Sequence, residues 1–275
     1  MLRTEKLRNY VQIGAALLQN SYFFKGLKFC PTPSLNCYAC PLAVTACPMG
    51  SLQNLILKGY LPLAMTGFFV SLGAAVGRAS CGWACPFGYI QELLGRLGKK
   101  KLRISNEYGW LRYVVLAVTA LALPFVLKSP IFCKLCPAGT LEAGIPLAAL
   151  DEEIREIIGP LFWLKVSLLM AVIWASVKIK RPFCRFICPL GAVYSPFNRI
   201  SALRMTVHEK CVKCDACREV CPVDMSIYEG PNSGVCIRCM KCTGCSAVGV
   251  SFLGKDIIKA GRDGKIGRAA YEEQR

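Results

Sequence analysis

A chain of 275 residues that is 54% hydrophobic and yet carries a formal charge of +17 combines two features that soluble globular domains seldom share, and its mean hydropathy is +0.41. The apolar residues must therefore be segregated into membrane spans, with Lys and Arg gathered at their ends. Eighteen cysteines beside one histidine, His208, largely exclude bis-histidine haem and mixed Cys/His zinc sites, leaving iron–sulfur clusters, all-thiolate zinc or disulfides.

In chain order, residues 10–29 form an apolar stretch interrupted by Gln12, Gln19, Asn20 and Lys25. It reads as an uncleaved first span, because no small-x-small cleavage site follows a compact apolar core. The stretches 60–79, 110–127 and 160–177 each approach the ~20 residues that cross a ~30 Å hydrocarbon core. Tyr22, Tyr60, Trp110, Tyr113 and Trp163 mark span ends. The expected fold is an all-α membrane domain over residues 1–204, with four transmembrane helices in two tandem helix-pair repeats, followed by a small α+β ferredoxin-like domain over residues 205–275.

Charge sets the sides. Arg78, Arg96, Lys99, Lys100, Lys101, Arg103 and Arg112 lie between spans two and three, and Lys178, Lys180, Arg181 and Arg185 follow span four, so both segments are expected to be cytoplasmic. The other two loops carry Lys25, Lys28 and Lys58, then Lys128, Lys134 and Arg155 beside Glu142, Asp151, Glu152, Glu153 and Glu156. They are expected to face outward, giving a multi-pass protein of the cell (inner) membrane with both termini cytoplasmic. Glu142 and the 151–156 run read as a solvated helix face, Lys165 as a side chain snorkelling outward, and His208 as a surface or interface residue.

The cysteines repeat in step with the spans. Cys37, Cys40 and Pro41 are followed by Cys81, Cys85 and Pro86; Cys133, Cys136 and Pro137 are followed by Cys184, Cys188 and Pro189. Two copies with the same direction predict a pseudo-two-fold axis along the membrane normal. Cys81, Cys85, Cys184 and Cys188 then offer four thiolates on the cytoplasmic side, the number a cubane takes; the alternative is a set of buried structural thiols. Cys37, Cys40, Cys133 and Cys136 either hold a further cluster on the outer side or form disulfides. Cys30 and Cys47 are unassigned.

Cys211, Cys214, Cys217 and Cys221 with Pro222 spell C-x2-C-x2-C-x3-C-P, and Cys236, Cys239, Cys242 and Cys245 form a second run. The pattern resembles the bacterial two-cluster ferredoxins. That resemblance implies one [4Fe–4S] cluster on Cys211, Cys214, Cys217 and Cys245, and another on Cys236, Cys239, Cys242 and Cys221. The second run departs from the pattern, with two residues rather than three before Cys245 and Ser246 in place of proline. Four clusters at about −2 each would leave a charge of roughly +9.

Spans, twin C-x-x-x-C-P motifs (CGWACP and CRFICP) and the ferredoxin pair together resemble the NapH-type membrane polyferredoxins, related to NosR-like and CcoG-like proteins, over residues 60–245. The resemblance implies electron transfer from the quinol pool or a cytoplasmic donor to a partner oxidoreductase, with quinone left open as a ligand. It also implies that the twin motifs hold clusters or serve redox chemistry, so that one or two clusters lie in the membrane domain beyond the two in the tail. Two other functions fit the residues: a transmembrane thiol–disulfide conduit, and a metal-sensing or assembly protein. No stripe of basic and aromatic residues suggests nucleic acid, and no Rossmann or P-loop glycine pattern suggests a nucleotide.

Overall fold

Among the described residues of the computed structural model, two helices are long and apolar enough to cross a membrane, Asn106–Leu127 and Pro160–Lys178. Local chemistry sets their ends. Ser105 accepts a hydrogen bond from the Glu107 N–H at the start of the first, and left-handed Lys128 ends it. Pro160 occupies the first turn of the second, where its missing N–H costs nothing. The first helix widens into a π-helical stretch at Leu116–Ala122, just before Pro124, whose ring would otherwise press on the preceding turn. Phe125, Val126, Trp163 and Trp174 face outward, so much of the apolar surface of both helices is left uncovered by protein.

The structure describes residues 3–21, 25–98, 101–209 and 211–260. Tyr22, Lys99, Lys100, Lys210 and residues 261–275 lie outside them, as does the side chain of Lys25. The other two expected spans are shorter helices. α3 covers Leu63–Val76, 14 residues or about 21 Å, and stops where Gly77 takes φ 58°. α1 covers Arg3–Gln19, starting upstream of residue 10 and ending well before residue 29.

α1 is inverted relative to a soluble amphipathic helix. Arg8 and Gln12 are fully buried while Tyr10, Leu17 and Leu18 are exposed. Arg8 and Gln12 both donate to the Gly82 carbonyl, and Gln19 donates to that of Ala84. The polar residues that interrupt the apolar stretch are thus its inward face. A further helix, α2, Pro48–Leu57, lies in what reads in sequence as an outer loop.

After α4, Ala79–Trp83, and α5, Pro86–Leu97, the chain forms the two long helices and then a three-stranded antiparallel sheet. β1 (Leu203–Val207) pairs with β2 (Val248–Phe252), Leu203 opposite Phe252, and β2 pairs with β3 (Lys255–Ile258). One core runs through both regions, joining Phe69, Phe87, Phe183 and Tyr194 to Met205, Ile237 and Val250.

Several basic residues counted above for sidedness are structural. Arg78, Arg112, Arg181 and Arg185 are each at most 3% exposed. Arg181 and Arg8 both pair with Glu92 of α5, and Lys241 of the tail approaches the same carboxylate at 3.8 Å. Burial alone would raise the pKa of Glu92, but Arg181, Arg8 and Lys241 outweigh it and hold the carboxyl down at about 2. Glu92→Gln would leave two guanidinium groups buried without a counter-charge, at a cost of ~3–5 kcal/mol. The more exposed Glu5, paired with Arg96 and Lys241, should cost under ~1 kcal/mol as Glu5→Gln. Denaturant unfolding of the two variants in detergent checks the contrast, and equal losses would refute the burial argument.

Candidate iron–sulfur sites

Four cysteines share one local design. Cys47, Cys85, Cys136 and Cys188 each stand at the N-cap of a helix, extended in backbone, with proline at the next position. Glycine follows two residues after the proline in each (CPMG, CPFG, CPAG, CPLG), and its N–H points back at the cysteine sulfur, as Gly191 does toward Cys188 at 3.4 Å. The free N–H groups of a helix start favour an anionic sulfur or cluster there.

The twin motifs meet through reciprocal hydrogen bonds. Arg78 donates to the Cys184 carbonyl at 3.1 Å, and Arg181 donates to the Cys81 carbonyl at 2.9 Å. The glycines are needed for this exchange, because a Cβ at Gly88 would stand 2.9 Å from Arg181 and one at Gly191 2.8 Å from Arg78. Cys81, Cys85, Cys184 and Cys188, all buried, lie within electrostatic reach of one another. Gln91 adds an N–H 3.3 Å from the Cys184 sulfur. Burial pushes the Cys85 thiol up to about 12, so a metal is needed to hold it as thiolate near neutral pH.

In the tail, Cys211, Cys214, Cys217 and Cys245 line one small cavity. Cys221, Cys236, Cys239 and Cys242 line a neighbouring one, which Cys217 also borders. The two runs fold alike: Lys213 and Arg238, one residue before the second cysteine, and Asp215 and Met240, one residue after it, are all left-handed. Such turns direct successive N–H groups inward, a nest for an anion; the Arg238 N–H lies 3.4 Å from the Cys236 sulfur. Among the described residues no three Cys, His, Asp or Glu side chains converge on the position of a single metal ion. The thiols instead ring spaces, the arrangement that suits a cubane better than a tetrahedral zinc ion.

The tail is seated on the twin motifs. A Cβ at Gly82 would come within 2.4 Å of the Ile237 carbonyl, Trp83 donates to the Arg238 carbonyl, and Asn198 donates to that of Cys236. Arg181 lies within electrostatic reach of Cys85, Cys184 and Cys239.

On the other side of the twin motifs, the thiols brought into mutual reach are Cys37, Cys47, Cys133 and Cys136. Cys40 is buried against Ala43 and Ala143, with Cys37 at the edge of that packing. Cys30 is exposed. The signal in the sequence for Cys47 is its C-P-x-G string, which Cys40 lacks. Glu142 departs from the expected solvated face: it accepts a hydrogen bond from the Cys37 N–H at 2.6 Å, and burial pushes its carboxyl up to about 7. Glu152, Glu153 and Glu156 are exposed as expected. Lys165 is half-buried and lies within electrostatic reach of Cys133. His208 is half-buried, its backbone N–H bonded to the Ala247 carbonyl.

A family described as "4Fe-4S binding domain" matches residues 59–105, 109–145 and 160–207. The uncharacterized protein MJ0750 of Methanocaldococcus jannaschii is 33% identical over 221 residues, covering 75% of this chain and 85% of the relative. The methylamine utilization ferredoxin-type protein MauN of Methylobacillus flagellatus is 28% identical over 58% of this chain and 52% of its own length. The regulatory protein NosR of Pseudomonas aeruginosa is 26% identical over 59% of this chain and 22% of its own. No solved structure matches the chain. Identity across most of the length of MJ0750, together with the match to the 4Fe–4S binding domain and the likeness to MauN and NosR, shows that the chain belongs to the NapH/NosR-related family of ferredoxin-type 4Fe–4S proteins.

Proposed function

We propose that the chain is an integral membrane electron carrier that relays electrons between a quinol pool or cytoplasmic donor and a partner oxidoreductase. The observation that carries this reading is the seating of the Cys236–Cys239 loop directly against Gly82, between the two cysteines and their mates that meet across the pseudo-two-fold axis. The tail and the twin motifs thus form one contiguous series of thiol sets rather than two independent sites.

In this reading Cys211, Cys214, Cys217 and Cys245 hold one [4Fe–4S] cluster, Cys221, Cys236, Cys239 and Cys242 a second, and Cys81, Cys85, Cys184 and Cys188 a third. A bound cluster supplies one-electron exchange without atom transfer. The chain's own residues do the rest. Backbone N–H groups of the C-P-x-G starts and the left-handed turns stabilise the anionic sulfurs, and the core around them keeps water out. Arg78 and Arg181 place fixed positive charge beside the twin-motif thiols, which favours the reduced, more negative state. The two long apolar helices, α3 and the inverted α1 supply the four spans, the last two shorter than a full bilayer crossing and α1 shielded on its polar side by protein.

The central set is tested with Cys85→Ser and Cys188→Ser in the full chain, purified anaerobically. Each should lower iron by about four per chain and remove the same low-temperature EPR signal, with the double variant no lower, since ligands of one cubane act as a unit. Additive losses would mean that each half carries its own centre. Sidedness is tested with a reporter inserted after the exposed Glu153 and another fused after Arg275: the first should be outside and the second cytoplasmic. Cytoplasmic signals from both would overturn the four-span topology.

A further inference from the structure

The segment from Cys30 to Cys47 and the loop from Cys133 to Cys136 bring six cysteines to one end of the repeat, and the choice among them is not the one that C-x-x-C-P strings suggest. Matching strings pair Cys40 with Cys136. Local structure pairs Cys47 with Cys136 instead. Both stand at the N-cap of a helix, both are followed by proline and then, two residues on, by glycine, and the text continues alike, CPMGSL against CPAGTL. Cys40 starts no helix: its carbonyl accepts from the Ala43 N–H in a tight turn, and its side chain packs on Ala43 and Ala143.

The contacts cross the pseudo-two-fold axis reciprocally. Gly50, in the first turn after Cys47, faces the Cys133 sulfur, which an added Cβ would meet at 3.6 Å. Gly139, the equivalent residue after Cys136, faces the Cys37 sulfur, at 3.3 Å by the same measure. Cys37 and Cys47 from the first half therefore oppose Cys133 and Cys136 from the second, in the manner of the twin motifs. We propose that Cys37, Cys47, Cys133 and Cys136 hold a fourth [4Fe–4S] cluster, with Cys40 outside the ligand set.

The surroundings suit this. Asn36 directs its N–H at the Cys47 sulfur, and Gln53 accepts from the Cys133 N–H. Lys165 brings a positive charge within reach of Cys133. The site also adjoins the twin motifs: Leu35, the residue before Asn36, directs its N–H at the Cys85 sulfur, and buried Tyr194 lies within electrostatic reach of both Cys47 and Cys81. A cluster there extends the series of thiol sets by one step beyond the twin motifs, and it rests on the reading that those sets hold cubanes.

The test is iron and acid-labile sulfide per chain, with EPR of the reduced protein, on the anaerobically purified full chain. The wild type should hold about sixteen iron. Cys47→Ser and Cys136→Ser should each hold about twelve and lose the same signal, while Cys40→Ser keeps about sixteen. Retention of the Cys188-dependent signal in the Cys47→Ser protein would establish that it is folded. Iron loss from Cys40→Ser but not from Cys47→Ser overturns the assignment, and so does a wild type with about twelve iron and disulfides among these four thiols by mass spectrometry. If Cys188→Ser also leaves iron unchanged, the reading of the twin motifs is what has failed.

Discussion

The exchange of hydrogen bonds between Arg78 and Arg181 is the constraint on which the other contacts depend. Each guanidinium reaches over to the carbonyl of the first cysteine in the other C-x-x-x-C-P motif. A carbonyl accepts a hydrogen bond but does not neutralise a cation, and a buried cation without counter-charge is costly. Arg181 has Glu92. Arg78, among the described residues, has only the carbonyls of Cys184, Gly234 and Val235. Thiolates of the proposed cluster would balance its charge, so the arginine that joins the two motifs also suits an anionic group between them.

The same arginine fastens the tail. Arg78 donates to Gly234 and Val235, and Arg238 answers from the other side by donating to the carbonyls of Val76 and Asn198 and to the hydroxyl of Ser201. The chain enters β1 with the Ala202 N–H already bonded to the Ala74 carbonyl, so no free linker separates the sheet from the helices before it. Electron transfer falls steeply with separation, and a tail on a flexible tether would vary that separation; here glycine at position 82 lets the backbone of Ile237 approach as closely as atoms permit. The rigid junction and the small residue serve one end.

Much of this was legible in the sequence where the determinant is local. Cysteine spacing in the tail depends only on the turn between sulfurs, and each of the two cavities is lined by three cysteines of one run together with a cysteine of the other, Cys217 bordering both. The doubled C-x-x-x-C-P motif likewise announced two halves that meet. What was not legible depends on which way a side chain faces. The stretch 10–29 looks like a flawed span because a linear count treats Gln12 and Gln19 as interruptions, whereas the helix turns them inward to the carbonyls of Gly82 and Ala84. Glu142 looks like part of an acidic face until the fold sets it against the Cys37 amide. Cys40 and Cys47 are both followed by proline, but a string records spacing to a neighbouring cysteine and not the helix start, which only Cys47 occupies.

The charge itself has two causes that composition cannot separate. A formal +17 suggests loops rich in Lys and Arg at a membrane surface. Arg8, Arg78, Arg181, Arg185 and Arg238 nevertheless rank among the largest fully buried side chains. They face carbonyls, one carboxylate and thiols, and none of them is free to meet lipid headgroups. Burying five guanidinium groups is tolerable only in an interior that also holds negative charge. In a chain with 17 acidic residues, many of them exposed, the proposed clusters and their thiolates would supply a large part of that negative charge. The excess of basic residues is therefore partly the internal counterpart of the cysteines, and the two compositional extremes of this sequence are one electrostatic arrangement.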